Sequence, residues 1–331
     1  AGIDKINSQE IKNALKVVKP SNEAKKITQN LLSSKSRAIF LGHQILHLDD
    51  GDNIKLIAMH IAQAIEATFG LIPGYANSVG LNELNLNSDN ISTDKILSQK
   101  KEAHIMMNFD PSYDYHSPKK INAALKNAKF NLAISPYISD SFKGFDVVLP
   151  MTPFTETSGT YINMEKRIQS FSAVTPPFGQ SRPGWKILRV LANFLQLEGF
   201  LYDSSEEVKA DAMIEFDKKN EDNLKVFKPS KIRSGIEILN LIKANDSDMI
   251  VRRAASLHKN KDQSCCLINP TTMLKEGLID GLKIRISSSE AEVLINVKAD
   301  ENVCLDAVAI FGKKDETAFL GMDNKVKIKK A

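Results

Sequence analysis

Apolar positions along the chain follow two periods in turn, and the switches between them predict most of its elements. Arg37 to Gly42 (RAIFLG) is a short apolar run ending in glycine, as a strand buried on both faces would be. Ile54, Ile57, Ile61, Ile65 and Phe69 then recur every three or four residues until Gly70, which predicts a helix with Asp52 as its N-cap. Ala103 to Asn108 (AHIMMN) reads as a second strand, followed by a turn around Asp110-Pro111. Ile121 to Ala128 is a short amphipathic helix, while Asn131 to Ser135 and Phe145 to Leu149 are a third and a fourth strand. Strands separated by helical stretches imply a doubly wound, mostly parallel α/β sheet with ligand sites at the carboxyl ends of its strands.

The helical period returns from Ser181 to Leu197, with Pro183 near the first turn and Trp185, Leu188, Leu191 and Leu195 as the apolar stripe. Trp185 is read there as a packing anchor. Asp203 to Lys231 is charged and poor in large apolar residues, a helix followed by a linker. Beyond it, CCLINP, GLKIRIS, EAEVLINV and CLDAVAIF are short alternating or apolar runs broken by Gly, Asn and Asp, which predict a small barrel. The expected division is an α/β domain over 1–202, a charged helix and linker over 203–247, and a β-rich, barrel-like domain over 248–331.

Composition adds mainly exclusions. Of 331 residues, 42% are hydrophobic and 25% charged, and 44 basic against 40 acidic residues leave a net charge of +4. So mild an excess gives no basic face for nucleic acid. Lys325, Lys327, Lys329 and Lys330 alternate with Val326 and Ile328, and read as a solvated edge or a fraying tail. No apolar run approaches the roughly 18–20 residues that span a bilayer. The polar, charged start of the chain is unlike a signal peptide, and its first thirty residues read as the interior of a longer protein. The expectation is a soluble protein, or one held at a membrane only through a partner.

Iron–sulfur clusters and structural zinc need about four ligands at short spacings. Cys265 and Cys266 are adjacent and Cys304 stands alone, so the pair reads as small apolar strand residues in a reducing compartment. His43 and His47 stand four apart with Asp49 and Asp50 behind them, but Gly42 has just ended a strand, and a surface loop is the expected reading. His60 falls within a helix, and His104 and His116 have no evident partners in sequence. Ser158 lacks both a G-x-S-x-G turn and a His–Asp pair, which leaves no catalytic nucleophile. Arg252-Arg253 is expected to clamp barrel to α/β domain, or else to meet another subunit.

Asp146 to Gln169 (DVVLPMTPFTETSGTYINMEKRIQ) is the stretch densest in information. A strand runs into Pro150, followed by small hydroxylated residues, Gly159, and charged Glu156, Glu165 and Arg167. Such a segment can bring backbone close to a ligand, or simply turn the chain. Its residues resemble the signature of molybdopterin oxidoreductase-type domains. Phe171 to Phe200, with P-x-G-x-x-R-P-x-W-K leading into LRVLANF, is similar to the large iron–sulfur subunit (75-kDa or G type) of NADH:quinone oxidoreductase, respiratory complex I. Val251 to Leu257 (VRRAASL) fits the same subunit, and Asn269 to Ile286 resembles the first turn of the superfamily's C-terminal barrel.

That resemblance implies a molybdopterin-oxidoreductase fold, inherited in the respiratory subunit without the molybdenum or tungsten cofactor of the wider superfamily. Its clusters belong to an N-terminal ferredoxin-like segment and the domain after it, which this chain lacks, so no cofactor, metal or catalytic residue is expected here. No G-x-G-x-x-G follows a strand to cradle a dinucleotide. The expected role is a non-catalytic scaffold in the peripheral arm, on the cytoplasmic or matrix side of an energy-transducing membrane. Its partners would be neighbouring subunits and the cluster-bearing N-terminal segment, with the membrane reached only through the complex. Two alternatives stay open, a piece of an active molybdopterin enzyme and a domain binding a small regulatory ligand. For either, the vestigial pocket would be built from Thr155, Glu156, Gly159, Thr160, Asn163 and Arg167.

Overall fold

The computed structural model describes residues 8–43, 45, 48, 50–84, 93–115, 117–216, 236–258, 265–288, 291–311, 317–320 and 325–331. His47, Asp49, His116 and residues 217–235 of the expected helix and linker lie outside the described residues. The chain divides into two compact units, one drawn from 1–87, 160–170 and 208–233, the other from 88–159, 171–207 and 234–331.

The first unit opens with two capped helices. Ser8 accepts from the Ile11 amide at the start of α1 (Gln9–Leu15), and Ser21 from the Ala24 amide at the start of α2 (Asn22–Ser33). Strand β1 (Ala38–Gly42) leads to α3 (Gly51–Ala64), whose Leu56 and Ile57 pack on the fully buried Ile11. Here the predicted helix is too long. Glu66 takes a positive φ of 55°, and Thr68–Ile72 becomes β2, parallel to β1 with Phe40 opposite Gly70. A four-residue step from Ile65 to Phe69 fits either element; the left-handed turn decides it. Gly70 is therefore no helix stop, since a Cβ there would stand 2.7 Å from the Phe40 ring. The N-cap position falls to Asp50, with Asp52 inside the first turn. Helix α4 (Ser78–Glu83) follows.

In the second unit, α5 (Thr93–Ser98) precedes β3 (Ala103–Met107), α6 (Pro118–Asn127), β4 (Phe130–Ser135) and β5 (Val147–Pro150). These three strands form a parallel sheet in the order β3-β4-β5, with Ile105 opposite Leu132 and Ile134 opposite Leu149. Parallel pairing needs a crossover, and α6 supplies the first one. Its Ile121, Ala124 and Leu125 are buried with Leu97 of α5. A hairpin of β6 (Gly159–Ile162) and β7 (Ile168–Phe171), whose residues 160–170 belong to the first unit, comes before α7 (Gly184–Phe194), which is entered through Pro183. Ile187, Leu188 and Leu191 of α7 cover Leu132, Ile134 and Met151. Leu195 is the exception to the predicted stripe: it lies past the last turn and is exposed. Helix α8 (Ser205–Phe216), which passes into the first unit at Val208, begins the charged segment.

The rest of the second unit is a closed six-stranded barrel. Its strands are β8 (Ile236–Leu241), β9 (Cys265–Ile268), β10 (Lys283–Ser287), β11 (Glu292–Ala299), β12 (Ala307–Phe311) and β13 (Lys325–Lys330), in the order β10-β11-β9-β12-β8-β13. Helix α9 (Met249–Arg253) follows β8, and α10 (Pro270–Lys275) follows β9. Alternation sets the interior: Ile284 and Ile286, Val293, Ile295 and Val297 point inward with Cys266 and Ile268. The barrel reaches back to Ile236, upstream of the expected start at 248. Its lysine-rich end is neither an edge nor a tail. β13 pairs with β10 on one side and β8 on the other, burying Val326 while Lys327, Lys329 and Lys330 are exposed.

Candidate functional site

The dense Thr-Ser-Gly stretch folds as a loop and a hairpin. After β5, Met151 bridges to Arg182, the Thr152 amide donates to the Arg182 carbonyl (3.0 Å), and the Arg182 amide donates to that of Pro150 (3.2 Å). The Thr155 carbonyl accepts from the Val174 amide at 2.8 Å, and Glu156 Oε2 accepts from the Phe178 amide at 2.8 Å. Gly159 gives room to the Phe171 ring, whose Cζ would be 2.7 Å from a Cβ there. Thr160 Oγ1 meets Ser170 Oγ at 3.0 Å across the hairpin. At its tip Asn163 Oδ1 accepts from the amides of Glu165 (3.0 Å) and Arg167 (2.9 Å), while Lys166 takes a positive φ of 59°. Arg167 and Glu165 face solvent, 3.7 Å apart. Within the first unit the tip is held by Asn77 Oδ1 on the Ile162 amide and by Glu83 on Lys166 at 2.8 Å.

Thus Thr155, Glu156 and Gly159 fall in the second unit, and Thr160, Asn163 and Arg167 in the first. Of the six, Glu156 alone lines the open cleft of about 560 Å³ beside α7, together with Ser158, Arg182, Trp185, Lys186 and Ser205. Ser158 Oγ and Ser205 Oγ lie 2.8 Å apart in that cleft. Trp185 is half-buried on its wall, with the adjacent Lys186 ammonium 5.3 Å from its ring.

A buried polar centre lies elsewhere, at the carboxyl ends of β3 and β4. Asp110, three residues beyond β3, is fully buried. Its Oδ1 accepts from Ser141 Oγ (2.7 Å) and the Ser112 amide (3.3 Å), and its Oδ2 lies 3.4 Å from Arg253 Nη2. The Asp110 amide donates to Asp114 Oδ2 at 2.8 Å, and Asp114 Oδ1 accepts from Arg252 Nη2 at 2.8 Å. Each guanidinium also faces an aromatic ring, Arg252 that of Tyr113 at 5.1 Å and Arg253 that of Tyr137 at 5.0 Å. Each further donates to a carbonyl near its own helix, Asp246 for Arg252 and Met249 for Arg253. The intramolecular clamp expected of the arginine pair is present, and an ion pair this shielded is costly to break. Its acceptors were missed: DPSYDY announced only a turn, although a second acidic residue four positions after Asp110 was the available signal.

The remaining candidates stand apart. Cys266 is fully buried, and burial, reinforced by Cys265, pushes its thiol up to about 12; Cys265 is half-buried and Cys304 exposed. His43 packs edge-on against Tyr75, with ring centroids 5.1 Å apart. His104 is buried, and desolvation lowers its pKa despite a hydrogen bond to the Ala124 backbone. Among the described residues, no group of three or more His, Cys, Asp or Glu is placed to hold a metal ion. Likewise no described helix is long and apolar enough to cross a membrane.

A parallel α/β sheet followed in the chain by a small closed barrel, with an ionic centre at the sheet's carboxyl edge, defines a mixed α/β protein. Residues 6–194, more than half of the chain, match the molybdopterin oxidoreductase family, and the chain belongs to it. It is 25% identical over 188 residues to the NADH-ubiquinone oxidoreductase 75 kDa subunit of Reclinomonas americana, covering 54% of this chain and 26% of that protein. Other relatives carry formate dehydrogenase in their names. One, from Staphylococcus aureus, is 37% identical over 75 residues, which are 23% of this chain and 8% of its own. Among solved structures, acetylene hydratase from Pelobacter acetylenicus superposes with a TM-score of 0.51 at 14% identity, over 69% of this chain and 41% of that one. That likeness speaks for the fold alone. The chain spans about a quarter of the length of the 75 kDa relative.

The family's name raises a pterin cofactor, and the residues described do not fit one. A pterin's phosphates seek backbone amides and cations. At the carboxyl ends of β3 and β4 they would meet the Asp110 and Asp114 carboxylates, with both arginines already engaged. Within each unit, residues of the signature stretch are already engaged. Glu156 presents a carboxylate to the cleft, Gly159 accommodates Phe171, and Asn163 is spent on the hairpin turn.

Proposed function

We propose that this chain is a non-catalytic scaffold and assembly portion of the large subunit of an NADH:quinone oxidoreductase. In this reading it lies in the peripheral arm, on the soluble side of the energy-transducing membrane. It carries no electrons through a cofactor of its own and offers surfaces to neighbouring subunits and to the cluster-bearing part of its parent subunit. The observation that carries the reading is the buried Asp–Arg centre, which fills with the chain's own side chains the strand ends where such sheets receive ligands. Similarity to the 75 kDa subunit supports the choice of parent complex. Exposed large apolar side chains in the second unit support an assembly role, with Phe178, Phe194 and Leu201 each 80% or more accessible.

The test is elemental and pterin analysis of the chain purified from a host that makes molybdopterin. The expected result is no stoichiometric molybdenum, tungsten, iron or pterin. Stoichiometric recovery of any of them overturns the reading; molybdenum or tungsten with pterin would establish a live pterin-dependent oxidoreductase in its place.

A further inference from the structure

We propose that Arg252 and Arg253 form a resident plug. They occupy the carboxyl edge of β3 and β4 in place of a ligand and lock the barrel's α9 onto the sheet. The inference deepens the scaffold reading and rests on it in one respect, that no cofactor competes for the position.

Placement comes first. Consecutive residues of a helix point about 100° apart, so one turn can present two side chains to two different loops. Arg252 turns to the loop after β3, pairing with Asp114 and facing Tyr113. Arg253 turns to the gap between the loops, with Asp110 from the first and Tyr137 from the second. The seam continues below them, where Ser135 at the end of β4 touches Met249 Sδ at 3.8 Å.

Charge comes second. Asp110 is fully buried and Asp114 half-buried, which makes the edge anionic unless cations remain there. A buried carboxylate left unpaired is strongly unfavourable, so the arginines cannot simply swing aside. An arriving phosphate would have to pull them off two carboxylates, two aromatic faces and two backbone carbonyls at once. The polarity of the edge is thus inverted from what an anionic cofactor needs. The loops agree, since NFDPSYDY and SPYISDSF carry Pro and Asp but no glycine with which to wrap a phosphate.

The test is hydrogen exchange followed by mass spectrometry on the whole chain, comparing the wild type with Arg252→Gln/Arg253→Gln. Peptides covering 108–115 and 135–142 should exchange at least tenfold faster in the double variant, while those of β10 and β11 keep wild-type rates. Guanosine diphosphate at millimolar concentration should leave both crevice peptides of the wild type unprotected. Should the double variant not fold, Arg253→Lys keeps the charge but loses the fork, and the 135–142 peptide should still exchange severalfold faster. Wild-type rates in whichever variant folds, or protection of these peptides by guanosine diphosphate, would overturn the plug. Pterin or metal in the purified chain bears on the scaffold reading and leaves these exchange rates to judge the plug separately.

Discussion

Replacing Gly159 by alanine separates the two readings of the Ser-Gly-Thr motif. A Cβ at this position would stand 2.7 Å from Phe171 Cζ and 3.0 Å from Cε1. Carbon atoms rest at about 3.5–4.0 Å, so the overlap is roughly 1 Å and the ring or its strand must move. Overpacking of this kind costs about 1–3 kcal/mol. For a large domain that corresponds to a fall of about 2–6 °C in melting temperature. Phe171→Leu removes the obstructing ring edge, so the Gly159→Ala/Phe171→Leu pair should show a favourable coupling of about 1 kcal/mol in a urea double-mutant cycle. If Gly159 instead existed to let a ligand approach, alanine would leave the free protein's stability unchanged. A Gly159→Ala protein within about 0.3 kcal/mol of wild type, or a cycle without coupling, would refute the packing argument.

Asp110→Ala should cost about 3–5 kcal/mol, read by urea unfolding, because it strands Arg253 and Ser141 without their acceptor; an Asp110→Ala protein as stable as wild type would contradict the burial described. Alkylation at pH 8 followed by peptide mapping should label Cys304 first and leave Cys266 unmodified in the folded chain, since its thiol stays protonated up to about 12. His104 has its folded pKa below the unfolded one, so the unfolded chain binds the extra proton and stability falls as pH drops through the unfolded value of 6.5, until the folded value is passed. A His104→Gln variant should flatten the dependence of melting temperature on pH over that interval, and an unchanged slope would count against it. Ile286→Ala, at a fully buried barrel position, should destabilise by about 2–5 kcal/mol in the same urea assay.

β4 was legible because burial on both faces leaves a continuous apolar run, NLAIS, whereas RAIFLG reads the same way although β1 is largely exposed, with Phe40 on its surface. Thr68–Ile72 was hidden because Ile65 and Phe69 keep the helical spacing across a break that only the backbone of Glu66 reveals. β8 escaped notice inside a segment read for its charge, although Ile236 and Ile238 alternate inward. Of the ionic centre, the arginine pair stood out in the sequence and its acceptors did not. They lie 138 and 143 residues away, and pairing over such distances leaves no periodic trace. The hydroxyl-rich motif drew attention for the opposite reason, since turn chemistry and ligand contact call for the same residue types.

Closure of the barrel by β13 also governs when this protein can finish folding. β8 and β13 are neighbours in the barrel although Ile236 and Val326, which pair, are separated by most of the barrel's sequence. β10 likewise waits for the same strand on its open side. During synthesis the parallel sheet and α7 can assemble while the barrel still has two unpaired edges, and it seals only once Lys330 has been made. Contacts this distant in sequence make folding slow. The half-built barrel, with bare edges on β8 and β10, is thus the stage at which a nascent chain would most need shielding from aggregation.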